Sequence, residues 1–182
     1  STDIVNPINY YGKTKAEAEA EIKKITNNYL IIRTASLVSE YGNNFVGTIV
    51  SRLLQKDNLR IIKNQYISMT YARYLSQGIL KIIKMHQANN LKKLTNNNII
   101  HFTNNGFTTW YEIAIKIQDF LKSKNIIDNK DYITPILESE WQSSAKRPID
   151  SRLLLNKNVY SNLQIELINW NEPLKDLIEK YI

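Results

Sequence analysis

Short apolar runs alternate with segments of helical periodicity through the first half of the chain. The apolar runs cover residues 29–34, 59–62 and 99–103, and polar or glycine-containing stretches surround them. Runs of this length predict buried strands. Helix formers dominate residues 11–27, and apolar side chains at helical spacing follow at residues 45–56. Because strands and helices alternate, we predict an α/β fold with a parallel sheet.

The second half of the chain has shorter and sparser strand signals. Thr70 is a candidate N-cap for a helix reaching residue 83, and Thr108 or Thr109 for a helix reaching residue 121. Residues 87–98 are polar and rich in Asn, which predicts a loop. Residues 133–136 form a short extended segment, and apolar side chains at 174–181 predict a last helix. This pattern favours a smaller α+β lobe after the parallel sheet.

Composition limits the functional classes. The chain has 182 residues, is 43% hydrophobic and contains no Cys. These values predict a globular protein without disulfides or thiolate metal sites, and two His make a zinc site improbable, so we predict no metal. No apolar run approaches the roughly 20 residues that span a bilayer. With no secretory signal in view, we predict a cytoplasmic protein that does not bind membranes.

The formal net charge of +7 raises the hypothesis of nucleic-acid binding. The basic residues are spread along the chain, however, and none of their clusters interleaves with aromatic residues. We therefore expect no nucleic-acid partner. A basic surface would still attract a phosphate-bearing cofactor or a sugar nucleotide.

Tyr11 and Lys15 form a Tyr-x-x-x-Lys motif near the start of the first predicted helix. Residues four apart share one helix face, and an ammonium beside a phenol favours the phenolate and lowers the phenol pKa. Such a pair could protonate a carbonyl oxygen while a hydride reaches its carbon. The spacing alone is weak evidence, because an amphipathic surface helix explains it equally well.

Several motifs occur in the order found in one enzyme family. Residues 6–15, N-P-I-N-Y-Y-G-K-T-K, resemble the active-site helix of extended short-chain dehydrogenases, most closely the dTDP-4-dehydrorhamnose reductase family. The remaining motifs that resemble the family are I-R-T at 32–34, G-N-N-F at 42–45, the segment 101–111 with Gly106 and Trp110, A-K-R-P at 145–148 with Ser151, and Trp170 with Leu174. The resemblance covers nearly the whole chain.

The resemblance implies that the chain is the C-terminal part of such a reductase. Residues 1–65 would complete a Rossmann-like sheet with the active-site helix, and residues 66–182 would form mainly the substrate-binding lobe. The implied reaction is reduction of the 4-keto group of a nucleotide-linked deoxysugar by NADPH or NADH, for cell-surface polysaccharide synthesis. The implied ligand is a nucleotide sugar, and the resemblance also allows a homodimer. This fragment alone is expected to be inactive.

The same resemblance assigns roles to individual residues. Tyr11 would be the general acid, Lys15 would lower its pKa and hold the nicotinamide ribose, and Thr2 would orient the carbonyl oxygen. Tyr11, Lys15 and Arg33 would contact the cofactor. The implied substrate-binding residues are Ser36, Asn44 and Arg147, with Arg147 either contacting a diphosphate or forming a structural salt bridge.

The chain departs from the family pattern at several places. Thr2 and Tyr11 are only nine residues apart, whereas the family has a much longer loop there. None of the five glycines forms a G-x-x-G-x-x-G motif. Ser36 stands where the family has an aromatic residue, and the segment 64–70 lacks the family's Asp, Gly and Pro. These changes keep open a second interpretation, a non-catalytic regulatory subunit like that of methionine adenosyltransferase.

Overall fold

The computed structural model describes residues 4–87, 98–143 and 145–182. Thr2 and most of the predicted loop at 87–98 lie outside the described residues. The helices are α1 (Tyr10–Ile25), α2 (Phe45–Leu54), α3 (Ala72–Gln87), α4 (Trp110–Ser123), α5 (Lys157–Asn162) and α6 (Leu174–Ile178). The strands are β1 (Ile31–Arg33), β2 (Leu37–Val38), β3 (Leu59–Ile62), β4 (Tyr66–Ile67), β5 (Thr70–Tyr71), β6 (Ile99–His101), β7 (Thr108–Thr109), β8 (Ile133–Ile136) and β9 (Asp150–Ser151).

Parallel pairing dominates the strands. β1 pairs with β6, β2 with β5 and β3 with β8, all in parallel. β4 lies between β7, which is antiparallel to it, and β9, which is parallel. Parallel strands require crossover connections, and helices supply them here. The predicted α/β class is confirmed.

The larger hydrophobic cluster packs helices α2, α4 and α6 against β3 and β8. Val50, Leu53, Ile117 and Leu121 are each 0% exposed. Their spacing puts them on one face of each helix, as the sequence periodicity predicts. Full burial of such a side chain stabilises the fold by about 1.5–3 kcal/mol. This packing anchors the first turns of α2 and α4, which carry Phe45 and Trp110.

A second cluster lies around α3, β6 and α5. The Phe102 ring contacts both Tyr160 and Tyr74, with centroid separations of 5.2 Å and 5.1 Å. The Tyr160 hydroxyl donates to the Thr103 carbonyl oxygen at 3.1 Å, so this buried phenol has a polar partner. Burial raises the pKa of Tyr74 to about 12. The cluster therefore holds neutral phenols in an apolar setting.

The two clusters do not divide the chain into consecutive halves. Each draws side chains from before and after residue 65; Leu30 and Ile32, for example, pack against the cluster around Phe102. The assignment of 1–65 and 66–182 to two lobes stays a prediction.

Thr70 does not cap α3, contrary to the prediction. It lies in strand β5, and its hydroxyl donates to the Ala35 carbonyl oxygen at 2.7 Å and lies 3.0 Å from the Thr34 hydroxyl. A Thr hydroxyl can bond to a distant carbonyl oxygen as well as to the N–H groups at the start of a helix. Here it bonds to Ala35, next to the place where β2 and β5 pair. The prediction at Thr109 is confirmed, because its hydroxyl accepts from the Glu112 backbone N–H at 3.1 Å in a capping box.

Candidate functional site

The Tyr11–Lys15 pair lies on the first turns of α1. Asn9 caps this helix by accepting from the Gly12 backbone N–H at 2.7 Å. The Lys15 ammonium nitrogen lies 5.5 Å from the centroid of the Tyr11 ring. None of the α1 side chains is buried, and Tyr11 is 71% exposed. The helix therefore brings phenol and ammonium together on an accessible surface.

One face of α1 lines an open cavity of about 430 Å³. Gly12, Lys15 and Glu19 contribute from the helix, at the spacing of successive turns. The other lining residues are Ile4, Val5, Asn6, Pro7, Ala16, Arg33, His101, Arg152, Leu153 and Leu154. The structure thus places the predicted cofactor residues Lys15 and Arg33 in one cavity.

Arg33 is bound by a carboxylate inside this cavity. Its Nε donates to Glu19 Oε1 at 2.7 Å and its Nη2 to Glu19 Oε2 at 2.6 Å. These hydrogen bonds lower the pKa of Glu19 and raise the pKa of Arg33. Bidentate pairing orients the guanidinium strongly. Arg33 therefore braces α1 against β1, and a direct cofactor contact stays a prediction.

A second, larger cleft of about 640 Å³ lies beside β3 and the start of α2. Aromatic side chains of Phe45, Trp110 and Trp141 line it, and the Phe45 and Trp110 ring centroids are 4.6 Å apart. The remaining residues of the cleft are Thr48, Ile49, Arg52, Asn58, Leu59, Arg60, Ile61, Ile62, Gln65, Glu138, Ser143, Ala145 and Arg147. The cleft combines aromatic surface with several guanidinium groups.

The arginines of this cleft differ in their partners. Arg52 forms an ion pair with Asp57. In the described part of the chain, no ion pair links an acidic side chain to Arg60 or Arg147. Glu138 is the acidic residue among those that line the cleft. Two guanidinium groups without ion-pair partners favour an anionic ligand such as a diphosphate.

A hydrogen bond connects the two regions. The Asn9 side-chain amide donates to the Lys146 carbonyl oxygen at 2.8 Å, across 137 residues of sequence. Lys146 immediately precedes Arg147, which lines the cleft. The cap of the Tyr11–Lys15 helix thereby lies next to the arginine of the cleft. Two segments that are remote in sequence are joined at this point.

Asn44 and Ser36 have local structural roles. Asn44 caps α2, accepting from the Gly47 N–H at 3.3 Å and donating to the Ser39 carbonyl oxygen at 2.7 Å and to the Tyr181 hydroxyl at 2.8 Å. Ser36 has a φ of 44°, and its carbonyl oxygen accepts from the Thr70 N–H at 3.1 Å. Their substrate contacts stay predictions.

Sequence reasoning missed Arg60, Arg152 and the Asn9–Lys146 contact. An arginine inside an apolar strand, such as Arg60, was a signal that the side chain faces something other than core. Nothing local in the sequence indicated that Arg152 shares a cavity with Lys15.

Within the described ranges, no group of three His, Asp or Glu residues could hold a metal ion, and no helix is long and apolar enough to cross a membrane.

The parallel strand pairing agrees with the fold of Rossmann-like reductases and epimerases. The structure is similar to a dTDP-4-dehydrorhamnose reductase from Clostridium acetobutylicum, with a TM-score of 0.76 and 30% identity over 98% of this chain and 58% of that one. It is also similar to the Bacillus anthracis reductase in complex with NADP, with a TM-score of 0.74 and 26% identity over 97% of this chain and 56% of that one.

A family model described as the RmlD substrate binding domain matches residues 1–182. The chain therefore belongs to the RmlD substrate-binding domain family. It is 30% identical to the dTDP-4-dehydrorhamnose reductase of Aggregatibacter actinomycetemcomitans over 97% of this chain and 58% of that protein. The Escherichia coli K12 reductase is 26% identical, with 98% of this chain and 58% of that protein covered. The chain thus spans somewhat over half the length of these relatives.

Proposed function

We propose that the protein carrying this chain reduces the 4-keto group of a nucleotide-linked deoxysugar, as in the conversion of dTDP-4-dehydrorhamnose to dTDP-rhamnose. The observation that carries the proposal is the accessible Tyr11–Lys15 pair, of which Lys15 lines a cavity and Tyr11 does not, in a chain whose relatives are reductases of this type. Because the chain spans 58% of those relatives, the activity belongs to the whole protein. We expect residues 1–182 alone to be inactive.

Tyr11 is the proposed general acid. Its phenol donates a proton to the oxygen at C4 of the sugar as negative charge develops there. The Lys15 ammonium, 5.5 Å from the phenol ring, stabilises the phenolate that remains. Such general-acid help is typically worth about 10²–10⁴-fold in rate. Thr2, outside the described residues, is the proposed third member that orients the carbonyl oxygen.

The residues at the cavity fit the nicotinamide end of NADPH or NADH. Lys15 has no ion-pair partner among the described residues, so its N–H groups are free to donate to ribose hydroxyls. Arg33 stiffens the same cavity through Glu19. When bound, the cofactor supplies the hydride. This chain contains no G-x-x-G-x-x-G motif, so it would contact only the nicotinamide side of the cofactor.

The larger cleft is the proposed site for the nucleotide diphosphate. Arg60 and Arg147 would neutralise the diphosphate, and the aromatic residues Phe45, Trp110 and Trp141 would pack against the base. The Asn9–Lys146 hydrogen bond places this cleft next to the Tyr11–Lys15 helix. A nucleotide held in the cleft would extend its sugar towards Tyr11. We propose a cytoplasmic enzyme, with a homodimer as the assembly to test and no nucleic-acid partner.

One observation favours a second function, the regulatory-subunit role. Ser36, which lines neither the cavity nor the cleft, has a left-handed conformation at the position where the family has an aromatic residue. A protein that lacks this aromatic side chain could bind a partner enzyme without turning over a sugar. The intact pair of Tyr11 and Lys15 supports the reductase instead.

The experiment compares Tyr11→Phe with Tyr10→Phe in the full-length protein. Both phenols are exposed and adjacent on α1, at 71% and 80%. With dTDP-4-dehydrorhamnose present, we expect Tyr11→Phe to slow NADPH oxidation by about 100-fold or more because the proton donor is lost. Tyr10→Phe should keep the wild-type rate. Equal rates for the two variants would exclude the mechanism. A wild-type protein that is inactive but co-purifies with methionine adenosyltransferase would support the regulatory role.

A further inference from the structure

Arg152 shares the cavity of the Tyr11–Lys15 helix but approaches it from a different element. It follows β9 directly and lines the cavity together with Gly12 and Lys15. Its side chain is 41% exposed. The roles proposed for Tyr11, Lys15 and Arg33 do not involve the guanidinium of Arg152.

The guanidinium of Arg152 is held in one orientation. Its Nε donates to Asp150 Oδ1 at 2.9 Å and its Nη2 donates to Asp150 Oδ2 at 2.6 Å. Its central carbon lies 5.4 Å from the Tyr66 ring centroid and 5.0 Å from the Phe107 ring centroid. These contacts leave the Nη1 group uncommitted among the described residues. The arginine is therefore oriented and retains donors for a ligand.

The aromatic rings around Arg152 are open to solvent. Tyr66 is 46% exposed and Phe107 is 49% exposed, so neither ring belongs to the hydrophobic core. Half-exposed rings beside an oriented guanidinium and a carboxylate suit a ligand with both C–H faces and hydroxyl groups. A sugar ring has this chemistry, because its C–H face packs on aromatic surface and its hydroxyls accept and donate hydrogen bonds.

Charge separates this cavity from the larger cleft. Two of the Lys and Arg side chains that line this cavity are paired, Arg152 with Asp150 and Arg33 with Glu19, and Lys15 is the third. The cleft instead presents Arg60 and Arg147, without ion-pair partners in the described chain. A diphosphate is better neutralised by the two arginines of the cleft, and a neutral sugar is better matched to the paired guanidinium of Arg152 at the edge of the cavity. Gln65 lines the cleft and the next residue, Tyr66, contacts Arg152, so the two sites are adjacent.

We propose that Arg152, held by Asp150 and flanked by Tyr66 and Phe107, binds hydroxyl groups of the sugar ring of the nucleotide-linked substrate. This inference rests on the proposed function for the identity of the ligand. Arg152 would then determine affinity for the sugar and not for the nucleotide.

The test measures binding of dTDP-rhamnose and of dTDP to the full-length protein by calorimetry. We expect Arg152→Ala to weaken dTDP-rhamnose binding about 10-fold through lost hydrogen bonds, and to leave the dissociation constant of dTDP within about 2-fold. Arg73→Ala is the matched control, because Arg73 also pairs with a carboxylate, Glu40, and lies 6.0 Å from a Tyr ring centroid. It should bind both ligands as the wild type does.

A second variant at Arg152 and a measurement of NADPH oxidation complete the test. Arg152→Lys keeps the charge and the stem but loses the planar fork, so it should also lose affinity for dTDP-rhamnose. If Arg152→Ala does not fold, the affinity of Arg152→Lys for dTDP-rhamnose provides the test. Equal losses for dTDP and dTDP-rhamnose, wild-type binding by Arg152→Lys, or a wild type that does not distinguish the two ligands would overturn the proposal. Failure of the reductase function would appear separately, as absent NADPH oxidation by a wild type that still binds dTDP-rhamnose more tightly than dTDP.

Discussion

The ion pair between Arg33 and Glu19 ties the end of β1 to the helix that carries Tyr11 and Lys15. Both side chains are largely shielded, at 25% and 19% exposure. The hydrogen bond from Arg33 lowers the pKa of Glu19 below its ordinary value. A carboxylate with a lowered pKa in the folded state stabilises the fold above its unfolded-state pKa. That stabilisation disappears as the pH falls through the folded-state pKa.

We therefore expect Glu19→Gln to lower the free energy of unfolding by about 1 kcal/mol at neutral pH, since partial exposure weakens the pair. The difference from wild type should shrink as the pH falls below the ordinary Glu pKa and disappear once the Glu19 carboxylate protonates in the folded state. Urea unfolding at several pH values measures this difference in the free energy of unfolding. Glu21→Gln is the control, because Glu21 pairs with Lys24 on the exposed face of α1, and it should change stability little. A loss from Glu19→Gln that is the same at every pH would contradict the argument.

Periodicity alone located α2, α4 and α6, because each buries a continuous apolar face. The predicted N-cap of α3 was wrong, because the hydroxyl of Thr70 bonds to the carbonyl oxygen of Ala35, which lies between β1 and β2. Local sequence does not reveal a contact between residues so far apart along the chain. Within α3, Gly78 faces the Phe102 ring, and a Cβ built on it would lie 2.5 Å from ring carbons. The close approach of α3 to Phe102, the residue after β6, thus depends on Gly78 having no side chain.

Gly78→Ala tests this helix contact. In an exposed helix the change would stabilise by about 1 kcal/mol. Here we expect a loss of about 1–3 kcal/mol, because the methyl group overpacks against Phe102. Thermal and urea unfolding measure it, with Ser76→Ala, on the exposed face of α3, as the control. A stabilised Gly78→Ala variant would show that α3 and β6 separate easily.

Asn104 links the two hydrophobic clusters at the scale of the whole molecule. It is 1% exposed, and its side-chain oxygen accepts from the Tyr71 backbone N–H at 2.9 Å while its amide donates to the Ile168 carbonyl oxygen at 3.3 Å. Tyr71 packs against both clusters. One buried amide therefore satisfies backbone groups of segments that are far apart in sequence.

Asn104→Ala should destabilise the protein by about 2 kcal/mol, because the Tyr71 N–H loses its partner away from water. The neighbouring Asn105→Ala is the control, because Asn105 is exposed and its hydrogen bonds to Ile168 and Trp170 are made by its backbone. Equilibrium unfolding of both variants gives the comparison. Similar stabilities for the two would show that the Asn104 side chain does not connect the clusters.

The sequence by itself determined the α/β class, most helices and the Tyr11–Lys15 pair, because periodicity and a four-residue spacing are local properties. The family followed from motifs whose order along the chain is also readable without a structure. Only the tertiary structure decided that Arg33 is bound by Glu19, that Arg60 and Arg147 share one cleft, and that Arg152 reaches the cavity of Lys15. Those relations join residues separated by up to well over a hundred positions. They depend on how parallel strands and their crossover helices pack, which no local pattern encodes.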